Sequence, residues 1–439
     1  MKQFFAGLLA LGFIMALAAD AWAEGEAPDA SEAPPPAPAL AFGGDFWTRP
    51  KLTGDWGGQR DQFAAQGLTI NFDVTYTFQG VASGGIPNTG TALGNTTLGA
   101  LSLGLDTTKA NLWPGGLFSL RLEARTGESA FGRAGTVSPI DNDAITPNSP
   151  GNLNKNVFGL TELTYTQFLS PQFGVFGGLL NTYEGDDNPI AGNPRSNMSF
   201  LNLSFLMSLV EAATVPNASL GGGGVFILSP DIIGKVLIFN SQESATINPI
   251  ENSSGTTFGT EWTVKHKLFD QPGGQLLGFM YGIGQNRTAI NADPRVFIAN
   301  LIVNSAIPKT SADSWSFYYN AHQYIQGDEQ RGWGPFLRFG VSDGNPNPIK
   351  WNLAAGIGGK GPFSGREDDR WGAGFYYLGI SDTALLNLLK LNSEVGGEMF
   401  YNLGITPAMH LTFDAQAVSS ARPRQQTAVI LGARVGVNF

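Results

Sequence analysis

The chain has 439 residues, of which 42% are hydrophobic and only 14% are charged, and it contains 58 Gly and no Cys. The absence of Cys excludes disulfides and thiolate metal sites, and the net charge of −10 argues against nucleic acid as a partner. The length suits either two or three soluble domains or one large barrel.

The first 23 residues have the pattern of a secretory signal peptide. Lys2 precedes an apolar run from Phe4 to Ala19, and Ala21-Trp22-Ala23 is a small-x-small cleavage site. The apolar run is shorter than the roughly 20 residues that a spanning helix needs. Residues 24–41 are rich in Pro and Ala and carry four acidic residues without a base, which predicts a disordered, extended tether. We therefore expect an exported chain.

From residue 42 onwards, a helical pattern gives way to strand patterns. Asp55–Gln66 predicts a short amphipathic helix stopped by Gly67, so residues 42–67 form an N-terminal segment. Leu68–Gln79 alternates apolar and polar residues, which is the period of a β-strand, and we assign residues 68–439 to one β domain. Similar segments recur between clusters of Gly, Pro, Asn and Asp; they are Gly99–Asp106, Phe118–Arg125, Val157–Gln167, Phe258–Leu268, Pro335–Val341 and Val429–Phe439.

The segment Phe118–Arg125 has one apolar face and one charged face. In a soluble sandwich the charged face would meet solvent and the apolar face a core. In a membrane barrel the apolar face meets lipid and the charged face lines an aqueous lumen. An exported chain without apolar runs of spanning length favours the barrel. A spanning strand takes roughly 10 residues plus its connection, so the region after the tether is long enough for about 14 to 18 strands. A barrel with that many strands encloses an aqueous channel.

The last strand pattern supports the same interpretation. Alternate residues from Leu431 to Phe439 are apolar, and the chain ends in Phe439. A terminal aromatic on an amphipathic last strand resembles the signal that the outer-membrane assembly machinery reads. The sequence therefore predicts an all-β fold: a transmembrane, antiparallel, multi-pass β-barrel in the outer membrane of a Gram-negative bacterium, in contact with outer-membrane lipid, with a short N-terminal periplasmic helix.

Three stretches resemble the carbohydrate-selective porin family, the OprB family. They are Leu52–Arg60 (LTGDWGGQR), Gly365–Tyr377 (GREDDRWGAGFYY) and Glu398–Gln416 (EMFYNLGITPAMHLTFDAQ), and Phe336–Asn345 (FLRFGVSDGN) is also similar to a family segment. The resemblance covers the whole barrel. It implies an outer-membrane porin of about 16 strands that admits glucose and related sugars by facilitated diffusion. The Pro-rich tether and Ala417, where the family commonly has an aromatic residue, depart from the family pattern.

Candidate selectivity residues lie on the polar faces of the predicted strands. A sugar-selective constriction needs side chains that exchange hydrogen bonds with hydroxyl groups, which Arg can donate and Asp or Glu can accept. Arg121, Glu123 and Arg125 form a short mixed-charge ladder, and the resemblance places Arg125 where the family has its pore arginine. We expect Arg125 to contact the sugar directly, with a solvated wall residue paired with Glu123 as the alternative. The remaining candidates, each of which can instead be an ordinary wall charge, are Asp73, Glu162 and Arg338.

Aromatic and acidic residues offer weaker candidates. Trp333, Trp351 and Trp371 could stack on sugar rings, although interfacial girdles use Trp heavily. The acidic stretches Asp141–Asp143 and Glu184–Asp187 could attract Ca²⁺, but neither has EF-hand spacing, and we interpret both as solvated loop charge. No cofactor is predicted.

Two rival functions differ in class. An enzyme would need a nucleophile with a positioned base, and none of His266, His322 and His410 pairs convincingly with a Ser, so we expect no enzyme. A dedicated anion pore would need a ladder dominated by Arg and Lys, whereas acids are interleaved here. The sequence thus favours monosaccharides or polyols, with a general or organic-anion-selective porin as the alternative and the oligomeric state left open.

Overall fold

The computed structural model describes residues 42–147, 156–251 and 253–439. The predicted signal peptide and tether lie outside the described residues. Among the described residues, no helix is long and apolar enough to cross a bilayer.

The described residues form a closed antiparallel β-barrel, as predicted. Seventeen strands share one sheet, and without the two-residue strand β13 (Gln326–Gly327) sixteen wall strands remain. Because β1 pairs with both β2 and β19, the sheet has no free edge. The wall strands are β1 (Leu68–Gly85), β2 (Leu93–Asp106), β3 (Gly116–Glu128), β4 (Val157–Ser170), β5 (Phe173–Asn181), β6 (Ala218–Ser229), β7 (Ile232–Asn240), β8 (Thr256–Leu268), β9 (Gln271–Ile283), β12 (Ser314–Gln323), β14 (Gly332–Ser342), β15 (Ile349–Lys360), β16 (Arg370–Ile380), β17 (Glu394–Thr406), β18 (Met409–Ser419) and β19 (Gln426–Asn438).

The wall strands turn their apolar residues outward. On β1, Phe72 and Phe78 are 42% and 44% exposed, whereas Thr77 and Gln79 are 1% and 2% exposed. A soluble sandwich would show the opposite order, since its apolar face would be buried. The exposed apolar face therefore meets lipid and the polar face lines the lumen.

Short helices and one ribbon complete the fold. The helix α1 (Gln59–Ala65) begins later than the predicted Asp55 because Trp56, Gly57 and Gly58 have positive φ angles, which are incompatible with a right-handed helix. The other elements are the helices α2 (Phe131–Ala134), α3 (Leu203–Leu206), α4 (Leu209–Ala212), α5 (Pro294–Asn304) and α6 (Ala384–Leu388), a 3₁₀ turn (Asp143–Ile145) and the two-residue strands β10 (Arg287–Thr288) and β11 (Lys309–Thr310).

The two ends of the barrel differ in their connections. At the end that holds α1 and Phe439, four turns have two residues each, namely 171–172, 230–231, 269–270 and 407–408. The opposite end carries the long connections, including residues 182–217, 241–255 and 284–313. Short turns on the periplasmic side and long loops on the extracellular side are typical of outer-membrane barrels.

Two of the long connections fold into the barrel and create an apolar core there. We call residues 129–147 the first inserted segment and residues 182–217 the second inserted segment. Phe200 of the second segment stacks on Phe205 at 4.5 Å between ring centroids, and lies 4.7 Å from Phe400 and 5.5 Å from Phe336 on the wall. This packing occupies the lumen beside β14 to β17.

Candidate pore constriction

Wall carboxylates hold the backbone of both inserted segments. The carboxylate of Glu398 accepts hydrogen bonds from the N–H groups of Leu201 (2.7 Å) and Asn202 (2.9 Å). Glu394, which lies four residues earlier on the same strand, accepts hydrogen bonds from the N–H groups of residues 137 and 138 at 2.6 and 2.9 Å. Each of the two carboxyl groups thus accepts two consecutive backbone N–H groups of an inserted segment. The inserted segments are therefore fixed to the wall rather than lying loosely in the channel.

Two wall arginines hold the first inserted segment. Arg125 on β3 donates to the carbonyl oxygen of Ala144 and is almost completely buried. Arg434 on β19 donates to the side chain of Asn142 (3.1 Å) and to the carbonyl oxygen of Ser199 (2.7 Å). Arg125, which the sequence analysis expected to contact the sugar directly, thus lies against the protein backbone.

Arg338 holds the second inserted segment in the same way. Its guanidinium donates to the carbonyl oxygens of Phe205 (2.8 Å), Gly192 (2.8 Å) and Asp186 (3.1 Å), and it forms an ion pair with the Asp186 carboxylate. Arg338 is fully buried. The planar fork of donors suits this task, because it can satisfy several oxygens that converge from different directions.

A cavity remains between the inserted segments and the wall strands β1 to β3. Wall residues and inserted residues contribute about equally to its lining. The wall contributes Asp73, Thr75, Leu98, Ala100, Arg121 and Glu123, and the inserted segments contribute Asp143, Thr146, Pro194, Arg195 and Asn197.

The cavity contains a network of four charged side chains. Arg121 Nε lies 2.8 Å from Glu123 Oε1, and Arg195 forms an ion pair with the same oxygen. Glu184 Oε1 lies 3.5 Å from both Arg121 and Arg195. Burial lowers the pKa of Arg195, but Glu123 and Glu184 raise it by more, so its pKa lies above the ordinary value and the side chain stays charged.

Two further residues predicted from the sequence lie beside this network. Asp73 lines the cavity and has Lys51 at 3.9 Å. Glu162 faces Arg121 directly across the β3–β4 pair and accepts a hydrogen bond from Thr164 at 3.1 Å. Of the predicted residues, Arg121, Glu123, Asp73 and Glu162 therefore come together.

The sequence prediction missed the contribution of Arg195, Glu184 and Asn197. All three lie in a long connection that has no strand period, so no pattern pointed to the lumen. The stretch Glu184–Asp187 was noted only for its acidity.

Three of the acidic loop residues are buried, contrary to the expectation from the sequence, whereas Glu184 and Asp187 are exposed. Asp141, Asp143 and Asp186 are all nearly buried, because their loops fold into the lumen. Burial and, next, the adjacent Asp143 together raise the pKa of Asp141 to about 8, although Arg434 lowers it. Within the described ranges, no group of three His, Cys, Asp or Glu side chains could hold a metal ion.

The three Trp residues considered for sugar stacking fall on the outer face. Trp333, Trp351 and Trp371 alternate along their strands with the lumen-facing residues Arg338, Asn352 and Tyr376, which are buried. Trp351 stacks on Tyr377 with a centroid distance of 4.5 Å. These positions suit an interfacial girdle.

Comparison with known proteins agrees with the fold and the resemblance. The model of a family described as "Carbohydrate-selective porin, OprB family" matches residues 89–439. The high-pH structure of Pseudomonas putida OprB is 20% identical, covers 90% of this chain and 100% of that chain, and has a TM-score of 0.76. Its low-pH structure is 18% identical, covers 90% and 99%, and has a TM-score of 0.56.

A more distant structure shares the barrel. The outer-membrane channel DcaP of Acinetobacter baumannii is 8% identical, covers 85% of this chain and 97% of that chain, and has a TM-score of 0.51. No curated protein matches the chain.

Proposed function

Since this chain belongs to the carbohydrate-selective porin family, the OprB family, we propose that it lets monosaccharides such as glucose diffuse down their gradient into the periplasm. The family and the barrel fold indicate a channel in the outer membrane rather than an enzyme. The cavity is the part of the lumen where we propose that the sugar is selected.

The mixed-charge network is the observation that supports this proposal. A sugar hydroxyl both donates and accepts hydrogen bonds. Arg121 presents donors to the cavity, while Glu184 and Asp73 present acceptors beside it. A sugar that loses water at this point can therefore replace its hydrogen bonds in either direction.

The same network allows a bound sugar to leave the constriction again. Arg121 and Arg195 already share the Glu123 carboxylate, so neither carries a bare, unpaired charge into the cavity. Conduction requires contacts that are favourable enough for entry and weak enough for exit. Several moderate contacts to paired side chains meet that requirement.

An organic-anion or general porin is the second candidate. A dedicated anion pore would present Arg and Lys without carboxylates beside them. Here Glu123 and Glu184 form ion pairs with both arginines and offset their charge. This arrangement weakens attraction for an anion more than it weakens hydrogen bonding to a neutral sugar.

Swelling of proteoliposomes that contain the purified chain tests the proposal. Glucose, a disaccharide and gluconate should be compared for the wild type, for Arg121→Ala and for the control Arg331→Ala, whose side chain is 56% exposed outside the lumen network. We expect glucose to enter fastest, and Arg121→Ala but not the control to reduce that preference. Rates that follow solute size alone in all three proteins would indicate a general pore.

A further inference from the structure

The charges around the cavity are unequal in number. Three carboxylates line it, whereas two arginines, Arg121 and Arg195, line it. The lining carboxylates are those of Asp73, Glu123 and Asp143, and Glu184 adjoins them through its ion pairs with both arginines. A narrow passage lined by an excess of one sign concentrates solutes of the opposite sign.

The acidic groups are also the more accessible ones. The side chains of Glu184 and Asp73 are 45% and 30% exposed, whereas those of Arg121 and Arg195 are 17% and 5% exposed. A solute that enters the cavity therefore meets carboxylate oxygens before it meets guanidinium groups.

One carboxylate oxygen in the lining has an unused acceptor. Arg121 and Arg195 both pair with Oε1 of Glu123. Oε2 of Glu123 is buried and has no hydrogen-bond partner among the described residues. This oxygen adds negative charge beside the cavity that no donor among the described residues offsets.

We propose that the constriction selects by charge as well as by hydroxyl pattern, and that it passes sugars carrying an ammonium group faster than neutral sugars and sugar acids slowest. This inference rests on the proposed sugar-porin function. An ammonium group has three donors and no acceptor, so it complements the exposed carboxylates of Asp73 and Glu184. A carboxylate on the sugar would face the same groups with like charge.

The test compares solutes that differ at one position. Efflux of labelled glucosamine, glucose and glucuronate from proteoliposomes is measured at pH 6, where the amine is protonated, with the membrane potential clamped at zero. We expect glucosamine to leave roughly fivefold faster than glucuronate, with glucose between them. A KCl gradient across a planar bilayer should give a reversal potential that shows preference for K⁺ over Cl⁻.

Variants connect the effect to the cavity. Asp73→Asn and Glu184→Gln should each lower the ratio of glucosamine to glucose, and Glu367→Gln, an exposed acid paired with Arg331, should leave it unchanged. Equal efflux of glucosamine and glucuronate, or a reversal potential that favours Cl⁻, would overturn the inference even if the variants failed to assemble. If glucose passes no faster than a disaccharide, the proposed function fails instead, so the two failures can be told apart.

Discussion

Glu123, on the wall strand β3, and Arg195, on the second inserted segment, form an ion pair in which both side chains are nearly buried. The wall side of the constriction is present in the barrel alone. The other side exists only when residues 182–217 are docked inside it. Selectivity in this account therefore depends on contacts that hold a loop to the wall, as well as on the residues that touch the solute.

Removing Arg195 should widen the solute range. In Arg195→Gln, Glu123 keeps only Arg121 as a charged partner, so the second inserted segment loses its ion pair to β3. We expect the rate for a disaccharide to rise relative to that for glucose in swelling assays. Arg331→Gln, an exposed arginine outside the network, is the matched control. An unchanged ratio in Arg195→Gln would show that this pair does not set the size limit.

Replacing Arg338 should loosen the second inserted segment while the barrel persists. Lys keeps the charge, but one ammonium cannot reach the carbonyl oxygens of Phe205, Gly192 and Asp186 together. In Arg338→Lys we expect faster proteolysis within residues 182–217 and a higher single-channel conductance. The heat-dependent gel mobility that reports an intact barrel should not change.

The control for that variant is Arg331→Lys, which alters an exposed arginine in the same way. Wild-type conductance together with wild-type proteolysis in Arg338→Lys would contradict a positioning role for this residue. If Arg338→Lys does not form a barrel, Asp186→Asn replaces it as the test, because it removes the ion pair but keeps Arg338 on the wall. A normal conductance in Asp186→Asn would also contradict a positioning role for Arg338.

A buried carboxyl near the second inserted segment should give a pH dependence. Glu243 accepts hydrogen bonds from the N–H groups of Asn217 (2.6 Å) and Ala245 (3.0 Å). Burial raises its pKa from 4.5 to about 7, although these backbone amides lower it. Because the folded pKa is raised, the stabilisation is full below about pH 4.5 and is lost as the pH rises toward about 7, by at most about 3 kcal/mol.

Amide hydrogen exchange at Asn217 and Ala245 measures this effect. Dividing the wild-type protection by that of Glu243→Gln at each pH cancels the intrinsic pH dependence of exchange. We expect this ratio to fall between about pH 4.5 and 7 and then to level off. A constant ratio of the two proteins over this range would mean that Glu243 does not titrate as described.

The C-terminal residue should matter more for assembly than for the folded barrel. The N–H of Phe439 donates to the carbonyl oxygen of Phe72 at 2.7 Å, and its carbonyl oxygen accepts from Arg60 at 2.8 Å. We predict that Phe439→Ser lowers the amount of chain in the outer membrane while refolding in detergent stays near wild type. Phe72→Leu, which removes the ring neighbour at 5.5 Å but keeps the terminal aromatic, should assemble normally. Equal assembly of both variants would argue against an aromatic assembly signal.

Period-two alternation predicted the strands and the orientation of their side chains, and the signal-peptide pattern favoured a barrel over a soluble sandwich. Leu68–Gln79 lies within β1 and Phe118–Arg125 within β3, and both turn the predicted faces to lipid and lumen. Alternation succeeds because side chains on a strand change sides at every residue. It fails for β6, where Gly221–Gly224 offer no side chains to form a pattern.

The candidate site could be predicted only on its wall side. Arg121 and Glu123 follow from the strand period, but Arg195 lies in a loop whose place is set by contacts distant in sequence, such as that between Glu398 and Leu201. The same limit applies to Arg125. Its lumen side was predictable, yet the carbonyl oxygen of Ala144 that it meets belongs to a backbone that no sequence pattern marks.

The proposed function requires that sugar pass through the cavity between β1 to β3 and the inserted segments. The chain has no Cys, so a single cysteine can be placed in that cavity as Asp73→Cys and modified with a bulky thiol reagent. Glucose flux through the same variant is then measured before and after labelling, with Glu367→Cys as the labelled control. The account predicts that labelling Asp73→Cys reduces flux to that of protein-free liposomes while the control is unaffected; complete labelling with unchanged flux would contradict it.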